Sequence, residues 1–135
     1  MSARYMLDTN IVRQAVSKRS QPVLDQLVQR SPAELCVSVV TYGESTFGLR
    51  RRPEATKLAS ANETFFAEIE ILPFTREAAT TYGTLRAAME GLGKSLGPLD
   101  MLIAAHALSI GATLVSADRA FRFVPNLRVE DWTSA

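Results

Sequence analysis

The sequence predicts an α/β protein: a three-layer α/β/α sandwich around a central, mainly parallel sheet. Three observations predict it. Short runs rich in β-branched and apolar residues alternate with longer stretches of helical spacing. Strand-like runs are separated by helical stretches, as right-handed βαβ units require. Acidic residues stand where strands should give way to turns or helices, which is where sheets of this kind bind ligands.

Residues 4–7 read as a short first strand, and 9–17 as a helix after it. A second helix over 22–30 has Pro22 at a starting position. Residues 35–39 are rich in β-branched side chains and read as the second strand. Residues 41–52 are helical and stop before Pro53. Residues 55–69 place Leu58, Phe65 and Ile69 near helical spacing, and 70–74 form a third strand. Thr75 caps a helix running to Met89. Gly91, Gly93 and Gly97 loosen the next loop. Residues 98–109 make an apolar helix that Gly111 ends, 113–116 a fourth strand and 127–130 a last short one.

A chain of 135 residues suits one domain over 1–135, with no internal linker or repeat. Fifteen basic residues against fourteen acidic ones leave bulk charge neutral, so any nucleic-acid contact must come from local patches. The single cysteine, Cys36, excludes an internal disulfide and sits in an apolar run as a small hydrophobe. The first eight residues lack the apolar core of a signal peptide. The longest apolar stretch, 101–115, is too short and too interrupted to span a bilayer. A cytoplasmic protein without a membrane partner is expected.

Four acids carry the functional reading: Asp8, Glu44, Asp100 and Asp118. Each has a plain structural explanation. Asp8 and Asp118 can cap the turns that follow them, Glu44 stands at capping-box spacing from Thr41, and Asp100 complements a helix dipole. Together they sit where a doubly wound sheet builds its site. Asp8 and Asp100 are flanked by apolar runs, and a desolvated carboxylate without a partner is costly. Clustered carboxylates repel unless a cation neutralises them. Hard ions such as Mg2+ or Mn2+ take oxygen ligands of this kind, and phosphodiester hydrolysis is their natural chemistry. The only histidine, His106, lies six residues past Asp100, roughly 240° around a helix. It is expected to be a packing residue and not a base.

The chain resembles PIN-domain ribonuclease toxins of the VapC type, along nearly its whole length. The likeness lies in Tyr5-Met6-Leu7-Asp8-Thr9-Asn10, Ser38-Val39-Val40-Thr41-Tyr42-Gly43-Glu44, Gly97-Pro98-Leu99-Asp100-Met101-Leu102-Ile103-Ala104 and Ser116-Ala117-Asp118-Arg119-Ala120-Phe121. The tail from Val124 to Trp132 is also similar. The resemblance implies a PIN-like fold and a metal-dependent endoribonuclease, with Asp8, Glu44, Asp100 and Asp118 as its acidic quartet. Asn10 and Ser116 match polar positions that border the quartet and orient ligands or substrate. Ala117 and Ala120 depart from the pattern, which makes Asp118 the least secure ligand.

On this reading Asp8 and Asp100 hold the principal Mg2+ or Mn2+. Glu44 orients the attacking water or completes the shell, and Asp118 serves a second ion or a water. RNA is the implied substrate. Arg50 and Arg51, in the Arg50-Arg51-Arg52 cluster, are candidates to meet its phosphates, with Lys94 and Arg119 near loops. The resemblance also implies a homodimer and a small DNA-binding antitoxin that forms a hetero-oligomer with the toxin. An apolar groove of Tyr42, Phe47, Leu49, Val12 and Val16 would receive the antitoxin's helix. Three other readings compete: a PIN-like module that binds RNA or protein without cutting, a PIN nuclease of RNA processing without an antitoxin, and a phosphotransfer enzyme of the haloacid dehalogenase type. The last lacks its second Asp, since position 10 is Asn.

Overall fold

The computed structural model describes residues 4–134. Five parallel strands form one sheet: β1 (Tyr5–Leu7), β2 (Leu35–Ser38), β3 (Glu70–Leu72), β4 (Thr113–Val115) and β5 (Val129–Glu130), in the order β3-β2-β1-β4-β5. Six α-helices connect them: α1 (Thr9–Ser17), α2 (Gln21–Val28), α3 (Val39–Arg50), α4 (Thr56–Ala67), α5 (Arg76–Gly91) and α6 (Pro98–Ser109). Two 3-10 turns, Pro32–Glu34 and Arg119–Phe123, complete the elements among the described residues.

Alternation along the central strands builds the three layers. Met6 pairs with Cys36 and Leu114 across the sheet, and all three enter one core with Leu85 and Met89 of α5 and Ile103 and Ala104 of α6. The next residues, Leu7, Val37 and Val115, enter the opposite core with Ile11 and Val12 of α1, Val23 of α2 and Phe66 of α4. A period of two in the strands thus sorts side chains between two helical layers. Burial raises the Cys36 thiol to about 11, as suits a packing residue.

The sheet is fully parallel, and every expected strand and helix is present; the helices over 9–17 and 98–109 keep their expected ends, and the other elements shift at one end or both. Ser38 ends β2 and caps α3, its Oγ accepting from the Val40 amide at 3.1 Å, so the helix starts at Val39 and not at 41. Thr41 therefore forms no capping box with Glu44. Its hydroxyl is buried inside the first turn without a hydrogen-bond partner. Strand β3 stops at Leu72 because Pro73 has no amide to donate. Gly111 takes φ +66° after α6, and the Ala112 amide closes back on the Ala107 carbonyl at 2.9 Å. Lys18 adopts a left-handed φ of 56° at the end of α1, an exit without a glycine signal.

The central strands β1, β2 and β4 all point their carboxyl ends the same way. Asp8, Ser38 and Ser116 follow or finish those strands at one edge of the sheet.

Candidate active site

Asp8 is the innermost acid. Its backbone continues β1, with its amide on the Val115 carbonyl at 3.1 Å, and its side chain caps α1 by accepting from the Ile11 amide at 2.9 Å. Only 4% of it is exposed. Burial pushes its carboxyl up to about 6. Hydrogen bonds from the Ser116 side chain and the Ile11 amide oppose the rise, while the negative charges of Asp100 and Asp118 add to it.

Asp100 lies half-buried in the first turn of α6. Its carboxyl is also raised, first by burial and then by Asp118 and Glu44. Glu44, partly buried on α3, accepts the hydroxyl of Thr9, which links α3 to the start of α1. Asp118 is exposed. It caps the turn Arg119–Phe123 through the Ala120 amide at 2.9 Å, and its own amide donates to Ser116 Oγ at 3.0 Å. The Ser116 hydroxyl, itself buried, therefore stands between two of the acids.

The four acids share one electrostatic field. Each is either shifted by another member or shifts one. They do not form a ready-made cage: among the described residues, no group of three His, Cys, Asp or Glu side chains is gathered tightly enough to hold an ion as it stands. Like charges favour that separation. None of the four is ion-paired among the described residues, whose salt bridges are Arg4–Glu70, Arg52–Glu54 and Arg86–Glu90. A carboxylate this buried, facing other acids and lacking a cationic partner, fits a hard divalent ion.

The remaining expected residues divide. Asn10 is exposed on α1 and its amide oxygen accepts from Arg13 at 3.1 Å. Arg51 lines a cleft of about 430 Å³ between α1, α3 and α4 that also touches Glu44. Arg50 lines a neighbouring cleft of about 840 Å³ between α3 and α4. The Lys94 ammonium stacks over the Phe123 ring at 4.3 Å, so the loop before Asp100 meets the turn after Asp118. Arg119 contributes, behind Thr133 and Arg122, to holding the Asp131 carboxyl low.

The expected single apolar groove is in fact two clefts. Val12, Val16 and Leu49 line the first, whereas Tyr42 joins Leu49 in the second. Phe47 lines neither; it is 62% exposed, with the Arg51 guanidinium 5.5 Å from its ring centre. Sequence reasoning missed Thr9 and Ser38. Both are small hydroxyl residues directly beside an acid or a helix start, and that adjacency was the available signal.

The PIN domain family model matches residues 5–127. The chain belongs to the PIN-domain family. Within it, the chain is 35% identical over 130 residues to ribonuclease VapC2 of Haemophilus influenzae, covering 96% of this chain and 98% of that one. It is 32% identical over 131 residues to the tRNA(fMet)-specific endonuclease VapC of Shigella flexneri, covering 96% and 98%. The structure of DNA-bound VapBC from Salmonella typhimurium contains a chain that superimposes with a TM-score of 0.90 at 28% identity, covering 97% of this chain and 99% of that one. The chain is thus a PIN-domain ribonuclease of the VapC type, and PIN-domain ribonucleases are generally divalent-metal dependent. No helix among the described residues is long and apolar enough to cross a membrane.

Proposed function

We propose that this chain is the cytoplasmic toxin of a toxin–antitoxin pair and cuts RNA at a Mg2+ or Mn2+ site built on Asp8, Asp100, Glu44 and Asp118. The observation that carries the reading is Asp8: 4% exposed, without an ion pair, and in the field of Asp100 and Asp118. A divalent ion bound there supplies Lewis-acid polarisation of the scissile phosphate and lowers the pKa of a nearby water. Asp8 and Asp100 would be its principal ligands. Glu44, with one oxygen held by Thr9, keeps the other to orient the attacking water. Asp118, the exposed member, completes the outer side of the site. Ser116 steadies both Asp8 and Asp118 with its hydroxyl, which accepts from the Asp118 amide. His106 takes no part as a base, because it is buried and hydrogen-bonded elsewhere.

The cleft between α1, α3 and α4 suits an antitoxin segment. Val12, Val16, Leu49 and Leu58 supply apolar lining, Arg13 and Arg51 supply charge, and Glu44 stands within it. A helix seated there, with an acidic residue toward the arginines, would cover the approach to Glu44. The same arginines meet RNA phosphates when the antitoxin is absent.

Purified chain incubated with single-stranded RNA and a tRNA panel that includes initiator tRNA tests the activity. Cleavage with Mg2+ or Mn2+ that stops on chelation and is absent from Asp8→Asn supports the proposal. Full cleavage by Asp8→Asn, or cleavage indifferent to chelator, overturns it.

A further inference from the structure

His106 lies outside the acidic cluster, on α6, and is 1% exposed. Its Nδ1 stands 2.8 Å from the Oγ of Ser38, a residue 68 positions away that is also fully buried. The Ser38 oxygen already accepts from the Val40 amide. Its own proton is available, and we assign it as the donor to Nδ1. The ring proton then sits on Nε2 and the imidazole is neutral. Burial holds His106 below its ordinary range and favours that form. Phe74 closes another side of the ring edge to face, with centres 5.4 Å apart.

The bond joins the two helices that carry Glu44 and Asp100. Ser38 opens α3, and Glu44 lies six residues along it. His106 lies in the last turn of α6, and Asp100 six residues before it. Six residues of α-helix span about 9 Å, so the bond lies remote from both acids. Helices α3 and α6 touch directly, and Ser38–His106 is the buried side-chain hydrogen bond between them among the described residues. The other acids have tethers of their own: Glu44 to Thr9, Asp8 to Ile11, Asp118 to Ala120. The Asp100 carboxylate accepts no hydrogen bond among the described residues. Its place is inherited from α6 alone.

We infer that His106 is a positioning residue whose buried hydrogen bond to Ser38 fixes α6 against α3 and so sets Asp100 opposite Glu44. The inference rests on reading those acids as a metal site. A stiff helix carries a small slip at one end to the other, and ligand oxygens must be placed within a few tenths of an ångström. A neutral acceptor at the Nδ1 position is the feature the bond requires.

The test uses the full chain without RNA for Mn2+ calorimetry, and with RNA for single-turnover and steady-state cleavage. His106→Phe keeps the ring volume and the contact with Phe74 but removes the acceptor. It should fold, bind Mn2+ about tenfold more weakly and lose about tenfold in kcat, with the KM for RNA within about twofold. His106→Asn, whose amide oxygen can occupy the Nδ1 position, should restore most of both. If His106→Phe does not fold, Ser38→Ala removes the donor, keeps the ring and should show the same losses. A folded His106→Phe or Ser38→Ala with wild-type Mn2+ affinity and kcat overturns the inference and leaves the metal site standing. Failure of His106→Asn to recover what His106→Phe loses also overturns it, because packing alone would then explain the defect. A wild-type chain that takes up no Mn2+, with or without RNA, ends both readings.

Discussion

Asp8→Asn should raise the thermal stability of the metal-free protein at neutral pH while it destroys activity. The folded carboxyl titrates at about 6, against an ordinary value of 3.8. A gap of about two pKa units corresponds to about 3 kcal/mol. The sign follows from the direction of the shift. A raised acid favours the folded state at low pH, where Asp8 is protonated in both states, and that contribution is lost as pH rises through about 6. At pH 7.5 the folded chain therefore bears the full cost of a buried anion. Asparagine has nearly the same shape and is itself a good helix cap, so the Ile11 amide keeps its acceptor. Loss of the charge-assisted hydrogen bonds offsets part of the gain, leaving about 1–3 kcal/mol. For 135 residues, at roughly 2.1 cal/mol/K per residue, each kcal/mol moves Tm by about 3.5 °C. The expected rise is about 4–10 °C in chelator at pH 7.5, shrinking toward zero near pH 4. Differential scanning calorimetry across that range measures it. A variant that melts at or below wild type at pH 7.5, or a difference indifferent to pH, refutes the assignment of a desolvated charge at Asp8.

Saturating Mn2+ should close or reverse that gap. At about 100 times its Kd it should stabilise wild type by about 2.7 kcal/mol and leave Asp8→Asn nearly unchanged, which the same melts would show. Thr9→Val should keep the fold within about 1 kcal/mol and slow single-turnover cleavage about tenfold, because Glu44 loses the hydroxyl that holds it. Arg51→Ala should lower the salt slope of RNA binding by about one; an unchanged slope would remove Arg51 from the phosphate path. Ser116→Ala removes a bond that pulls the Asp8 carboxyl down, so Mn2+ binding, followed by calorimetry against pH, should be lost at a higher pH than in wild type.

The fold was legible because its signals are local. Strand runs and helical stretches alternate over short windows, and proline and glycine mark many of the breaks. Asp8, Asp100 and Asp118 could be singled out because each stands beside such a break, whereas Glu44 lies inside α3, five residues past its start. What escaped was decided by contacts across the chain. Ser38 lies within a β-branched run and reads as strand interior until the helix that it caps is seen. The Thr9–Glu44 and Ser38–His106 bonds span 35 and 68 residues, and no periodicity encodes them. Helix α6 is apolar on nearly every side, so spacing alone could not say which neighbour His106 meets. The single groove failed for a related reason: Tyr42 turns its ring edge-on to Phe66 at 5.1 Å and so faces α4 instead of α1.

The four acids are graded, and on the proposed metal reading the gradient bears on how many ions the site would hold. Asp8 is buried, Asp100 and Glu44 are half-buried, and Asp118 is exposed with one oxygen already used as a cap. Attraction between an ion and a carboxylate grows as water is excluded. The inner side of the cluster is therefore the strong position and the Asp118 side the weak one. Ala117 and Ala120 add no oxygen around Asp118, so nothing in that turn offsets its exposure. A phosphate arriving at this edge would bring the oxygens that the turn lacks. On the proposed metal reading, the burial of these side chains would favour a single tight ion on the Asp8 side, with outer occupancy that depends on substrate.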